Sequence, residues 1–123
     1  MERRTEQRDA MRRVFDEAKR PLTAQEVLDL AQEHVPGLGI ATVYRNLKAF
    51  VDEGVLIPVD LPGEPSRYES VDLEHHHHFQ CDECGLVFDI PGCPNIKSIV
   101  PADYSVTRHE ILMYGVCPTC NAA

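Results

Sequence analysis

Two Cys-x-x-Cys pairs, Cys81-Asp-Glu-Cys84 and Cys117-Pro-Thr-Cys120, stand 32 residues apart near the end of a 123-residue chain. Four thiolates spaced this way can close a tetrahedron around one ion, the arrangement structural zinc prefers. The chain must leave one knuckle and return to the other, and the gap allows a small sheet between them. A disulfide framework fits poorly. The cysteine count is five, and the charged start MERRTEQRDA reads as no secretory signal. A thioredoxin-type motif would need a βαβ context that the pattern lacks. In so small a domain, zinc at about 10–16 kcal/mol of apparent binding energy is expected to be a main source of folding stability.

All five cysteines and five of the six histidines follow position 74, and four of those histidines are consecutive, His75 to His78. A purification tag would sit at a terminus. This run is interior and leads into Phe79-Gln-Cys81, so it is expected to enter a strand. Alternate side chains of a strand share a face, which pairs His76 with His78 and His75 with His77. Each pair offers two imidazoles to a metal, completed by carboxylates such as Glu69 and Asp89, or by His109. Such donor sets suit Zn²⁺, Fe²⁺ or Mn²⁺. Cys93, in Pro-Gly-Cys-Pro, is left over by the knuckle arithmetic. It reads as a small buried hydrophobe in a turn. The alternatives are a thiolate joining a metal site, or a redox-active thiol.

The first half reads differently. From Thr5 to Lys19, Met11, Val14, Phe15 and Ala18 recur at helical spacing, and Pro21 stops that helix. Thr23 opens the next helix, with Glu26 at the spacing of a capping box and a stripe of Ala24, Val27, Leu28 and Ala31. Pro and Gly break the chain over His34-Val-Pro-Gly-Leu-Gly39. A third helix is expected from about Ala41 to Glu53, with Val43, Leu47, Phe50 and Val51 inward and Gly54 at its end. Leu56–Asp60 and Ser66–Ser70 flank a Pro/Gly-rich turn, which predicts a hairpin.

Three short helices and a hairpin suit a winged helix-turn-helix, whose last helix enters the major groove of DNA. Thr42, Tyr44, Arg45, Asn46 and Lys48 face outward on that helix. Arg can fork onto guanine, and Tyr can touch a thymine methyl or a phosphate. Arg3, Arg4, Arg8 and Arg12 could neutralise phosphates nearby. A small helical bundle with an ordinary solvated face shares this pattern, and periodicity alone does not separate the two.

Charge narrows the partners. The formal net charge is −8, which argues against a protein wrapped all over in polyanion. Residues 59–123 hold three basic and ten acidic side chains, whereas residues 1–20 hold seven basic and five acidic. The acidic half is a cation-collecting body, and the basic start leaves a local DNA surface open. No apolar run approaches the roughly 18 residues of a membrane span, so no membrane partner is expected.

Gly39-Ile-Ala-Thr-Val-Tyr-Arg-Asn-Leu47, the histidine run and the two knuckles, in this order, resemble the ferric uptake regulator (Fur) superfamily. These are bacterial, metal-responsive, dimeric transcription regulators, and the resemblance covers essentially the whole chain. It implies an α+β chain: a winged helix-turn-helix over 1–72, then a small α/β dimerisation domain with structural zinc over 73–123. It places structural Zn²⁺ on Cys81, Cys84, Cys117 and Cys120, and Tyr44 and Arg45 on the base-contacting pair. Glu69, His76, His78 and Asp89 fall on the sensory site, expected to bind a second divalent ion, Zn²⁺, Fe²⁺ or Mn²⁺. His75 and His109, with His77 where members often carry Asp, fall on an accessory site, to which Cys93 is a candidate addition. The implied partners are a second copy of the chain and a palindromic double-stranded DNA operator, in the cytoplasm.

Two departures matter. The N-terminus is short and is expected to lack the leading helix of many members. Iron- and peroxide-sensing members often carry a histidine ligand two positions before the residue matching Thr23; here Pro21 stands there. His34 is one candidate replacement, although a solvent-exposed residue at a helix end is the simpler reading. Peroxide sensing through that histidine is disfavoured, and zinc is slightly favoured as effector, partly because of Cys93. The rival functions are a constitutive zinc-stapled DNA-binding module and a metalloenzyme with an open His/carboxylate site. No H-E-x-x-H helix or phosphate-cradling glycine loop supports the enzyme, so none is expected.

Overall fold

The computed structural model describes residues 2–72 and 75–122, with side chains from residue 4 onward. The Arg3 side chain and Leu73, on the far side of the expected 72/73 boundary, lie outside the described set. The chain divides into two compact units, Met1–Leu73 and Glu74–Ala123.

The first unit is three helices and a small sheet. Helix α1 spans Glu2–Ala18 and turns Met11, Val14 and Phe15 into the core. It ends before Pro21 is reached: Lys19 adopts φ +52° while its N–H still donates to Phe15 O at 3.2 Å. A left-handed residue that is not glycine costs about 1–2 kcal/mol. Strand β1 (Leu22–Thr23) is only two residues long and escapes sequence reading, since it exists through pairing with a distant strand.

Thr23 then caps α2 (Ala24–Ala31). Its Oγ1 accepts the Glu26 N–H at 3.1 Å, and its own N–H donates to Glu26 Oε1 at 2.9 Å, the reciprocal box expected. Helix α3 spans Ile40–Asp52 and buries Val43, Leu47 and Phe50. It stops where Gly54 takes φ +77°.

Strands β2 (Leu56–Val59) and β3 (Arg67–Ser70) form the antiparallel hairpin, with Leu56 opposite Ser70 and Val59 opposite Arg67. β3 pairs β1 on its other edge, giving the order β1-β3-β2. The apolar stripes of α1, α2 and α3 meet Leu22, Leu38 and Leu56 in one core. Each fully buried Leu, Val, Phe or Met there stabilises by about 1.5–3 kcal/mol.

The second unit is a mixed sheet of order β5-β4-β6. Strand β4 (His77–Cys81) is central, β5 (Val87–Ile90) runs antiparallel to it, and β6 (Leu112–Gly115) runs parallel. A 3₁₀ turn at Ile96–Ser98 and the one-turn helix α4 (Pro118–Asn121) complete it.

Candidate metal centres and recognition face

β4 carries the chemistry of the second unit at both ends. At its C-terminal end Cys81 begins a tight turn, closed by Gly85 N–H on Cys81 O at 3.0 Å, with Gly85 at φ +76°. That conformation suits glycine. The parallel pairing sets Cys81 opposite Gly115, and the chain then reaches Cys117 and, on α4, Cys120.

The four sulfur atoms lie within 4.8 Å of one another, and Cys84 Sγ and Cys117 Sγ are 3.8 Å apart. Four thiolates at 2.3 Å from a tetrahedral ion would have edges of about 3.8 Å. The residues fit zinc.

The protons agree. The N–H groups of Cys84 and Cys117 each approach Cys81 Sγ at 3.4 Å and hold that thiol down at about 6. Cys120 is pushed up to about 12, first by its hydrogen bond with the Cys117 sulfur and then by burial. The Leu86 N–H lowers Cys84, but burial and the neighbouring thiols outweigh it and raise it. One sulfur ionises readily and two resist, because crowded anions need a cation between them.

The histidines alternate along the extended run that enters β4 at His77. On one face the rings of His76 and His78 stand 4.9 Å apart, and the antiparallel register sets Asp89 of β5 opposite His78. Nε2 of each histidine is 3.4 Å from Asp89 Oδ1. Both Asp89 oxygens are buried without a hydrogen-bond partner. A buried carboxylate left in that state is costly, and a divalent ion shared with two imidazoles removes the cost. The residues fit a metal. Glu69, the remaining member of the expected sensory set, lies on β3 of the first unit, opposite Ile57.

The other face carries His75 and His77, with ring centroids 4.7 Å apart, joined by His109 and Cys93. His77 is buried, 2% exposed, and burial followed by the nearby imidazoles holds it below the usual histidine range. Cys93 corrects the sequence reading. It is exposed rather than a small core residue, and its sulfur is 3.3 Å from His77 Nε2 and 3.1 Å from His109 Nε2. It therefore stands with His75, His77 and His109, and lends no sulfur to the His76/His78/Asp89 set.

In the first unit α3 presents Tyr44, 56% exposed, with Arg45 and Lys48 also exposed. Thr42 is half-buried, and its Oγ1 accepts from Arg45 Nη2 at 3.0 Å, which sets the guanidinium in place. Asn46 Nδ2 is turned back onto Thr42 O. Lys48 pairs with exposed Asp52 at 3.2 Å, a contact of about 0–1 kcal/mol that is cheap to exchange for a phosphate. Arg4 and Arg12 are exposed on α1. Arg8 pairs with exposed Glu53 and stacks 4.5 Å above the Phe50 ring, linking α1 to the end of α3. His34 is exposed just past α2 and belongs to no donor cluster among the described residues. Pro21 is buried.

Two residues escaped sequence reasoning. A Cβ on Gly115 would meet Phe79 Cζ at 2.9 Å, so the ring fills space that only glycine leaves. A glycine inside a strand is itself the signal for such close approach. The second is Ile111, whose N–H donates to His77 Nδ1 at 3.2 Å; a backbone donor leaves no trace in sequence.

A model of the Ferric uptake regulator family matches residues 2–114. The peroxide-responsive repressor PerR of Staphylococcus epidermidis is 30% identical over 120 residues, covering 94% of this chain and 79% of that protein. Among solved structures, a zinc-bound manganese uptake regulator aligns with TM-score 0.80 at 27% identity, over 90% of this chain and 87% of the other. The ferric uptake regulator of Francisella tularensis with iron aligns with TM-score 0.70 at 26% identity, over 94% and 91%.

Proposed function

The chain belongs to the ferric uptake regulator family, and from that premise we propose that it is a homodimeric, metal-dependent transcriptional repressor rather than an enzyme. The observation that carries this reading is the pairing of two features in one chain. A helix offers Tyr44, Arg45 and Lys48 to solvent, and the start of β4 sets His76 and His78 beside Asp89, whose carboxylate oxygens are buried without a hydrogen-bond partner.

Each part has a task. Cys81, Cys84, Cys117 and Cys120 hold the structural zinc that builds the second unit. His76, His78 and Asp89 hold the regulatory ion, with Glu69 as the further ligand implied by family resemblance. Arg45, held by Thr42, reads a guanine edge; Tyr44 and Lys48 contact the thymine methyl or backbone, and Arg4 a phosphate. Arg8 contributes through α1 and α3 rather than by a free charge. The bound ion supplies fixed positive charge that neutralises Asp89. It changes operator affinity only by as much as it prefers the arrangement that fits DNA.

A second copy of the chain is supported by apolar surface. Among the described residues, six of the ten exposed large hydrophobics lie in the second unit, with Met113, Tyr114 and Val116 on or beside the edge strand β6. Exposed apolar patches and open sheet edges are where chains associate. Two recognition helices of such a dimer would meet half-sites about 34–36 Å apart. No described helix is long and apolar enough to cross a membrane; the cytoplasm is the proposed compartment.

The effector we favour is zinc. Contacts of 3.4 Å match the edges, about 3.3–3.4 Å, of a tetrahedral N/O site with bonds of 2.0–2.1 Å. An octahedral site with the same bonds would bring the donors to about 2.9 Å. Iron or manganese is the second reading, since three similar proteins are named for peroxide, manganese and iron.

Gel-shift titration with a duplex selected from random sequence tests the proposal. Added metal raises affinity. His76→Ala and Glu69→Ala abolish that response while the knuckle zinc is retained, and Arg45→Ala costs about 1–3 kcal/mol without loss of metal. Affinity indifferent to metal, with structural zinc in place, would overturn it.

A further inference from the structure

We infer that Arg67 is a positioning residue for the regulatory ion: its buried guanidinium is shared between Glu69 and Glu64, so that metal on Glu69 turns Arg67 toward Glu64 and secures the hairpin turn of the wing. This coupling rests on Glu69 serving that ion, as proposed above.

Alternation along β3 places the two charges together. Tyr68 packs on the apolar core with Leu22 and Leu56, so its neighbours Arg67 and Glu69 both project from the opposite face of the sheet. Two residues of a strand advance about 6.6 Å, a span that an arginine side chain covers. In register with them stand Thr23 and Val59, beside Arg67, and Ile57, beside Glu69. Arg67 is thus the cation of that face and Glu69 its carboxylate.

Both are withdrawn from water. Arg67 is 4% exposed and Glu69 3%. Arginine and glutamate reach such depth when they are paired, because an isolated buried charge is costly.

The second carboxylate comes from the turn. Arg67 Nη1 donates to Glu64 Oε1 at 3.1 Å, and the Glu64 side chain is 33% exposed. Glu64 is itself fixed: its N–H donates to Leu61 O at 3.1 Å after Gly63 takes φ +72°. Between Leu56 and Ser66 there is no basic side chain, so Arg67 is the cation the hairpin itself offers Glu64.

A single guanidinium between two carboxylates divides its attraction. In the metal-free chain Glu69 and Glu64 both draw on Arg67. With a divalent ion on Glu69, that carboxylate is neutralised and Arg67 is repelled from it, so its attraction to Glu64 prevails. The wing turn then responds to the ion through one side chain, inside the DNA-reading unit. By linkage, whatever draws Arg67 onto Glu64 raises metal affinity in turn.

The test is a Zn²⁺ titration of the full chain against a chromophoric chelator, with the four-thiolate site already filled. The regulatory step is the one that Glu69→Gln removes. Arg67→Met keeps the apolar stem, removes the like charge and binds the ion about tenfold tighter. Glu64→Gln returns Arg67 to Glu69 and binds it about threefold weaker, an effect that vanishes in the Arg67→Met background. A purely structural arginine would give looser or unchanged binding in Arg67→Met. On loading, the Gly63 and Glu64 amide resonances shift in wild type and stay still in Arg67→Met. Looser or unchanged binding in folded Arg67→Met overturns the inference. Should that variant fail to fold, Glu64→Gln decides alone: zinc affinity equal to wild type overturns it. If Glu69→Gln removes no step, the regulatory-site reading fails first and this coupling falls with it.

Discussion

The first unit holds itself together with Met11, Leu22, Val27, Val43, Leu47 and Phe50, each at most 1% exposed. In the second unit the described residues that reach comparable burial are Cys81, Val87, Cys117 and His77. Three of those four are candidate metal ligands. One unit therefore folds around hydrocarbon, and the other around donor atoms waiting for cations. A segment of roughly 50 residues buries too little apolar surface to be stable unaided, and a metal supplies what the core lacks.

Removing the metal tests this contrast most severely. Chelation, or Cys81→Ser, withdraws about 10–16 kcal/mol of apparent binding energy from the second unit and none from the first. Hydrogen exchange should show the amides of β4, β5 and β6 losing protection while those of α1, α2 and α3 keep theirs. Equal protection in both units after metal removal would end the comparison. The reciprocal experiment is Phe50→Ala, which should cost the first unit about 3–5 kcal/mol in a urea titration with zinc content unchanged.

Acidification sharpens the comparison further. Cys84 and Cys120 are raised, Cys120 to about 12, so both keep their protons at neutral pH without metal, whereas Cys81 at about 6 is largely ionised. Zinc uptake must displace the retained protons. Affinity therefore falls as pH falls, by about 1.4 kcal/mol per pH unit for each proton released. Calorimetry in buffers of different ionisation enthalpy counts those protons. Proton release of zero at neutral pH would contradict the crowded-thiol picture.

What the sequence made legible was whatever repeats or sits close along the chain. The Thr23/Glu26 cap, the apolar stripe through Met11, Val14 and Phe15, and the opposite faces of His75/His77 and His76/His78 are local geometry. Features made by distant segments were not legible. β1 exists only because β3 comes alongside, and Arg8 is taken by Glu53 and Phe50 from another helix. Cys93 misled for the same reason. A cysteine between prolines looks like filler until His109, sixteen residues on, folds back to meet it. Lys19 stands where a glycine would signal the end of α1, so its left-handed backbone left no mark in composition.

Four identical side chains in a row carry no reading frame of their own. Slide β4 by one position and imidazoles still occupy most of the slots, but each has changed sides. The frame is imported from the strand's far end, where Cys81 is clamped opposite Gly115 and Phe79 settles over that glycine. Which histidine serves which ion is thus decided several residues away, by the one centre whose ligands cannot be interchanged with their neighbours.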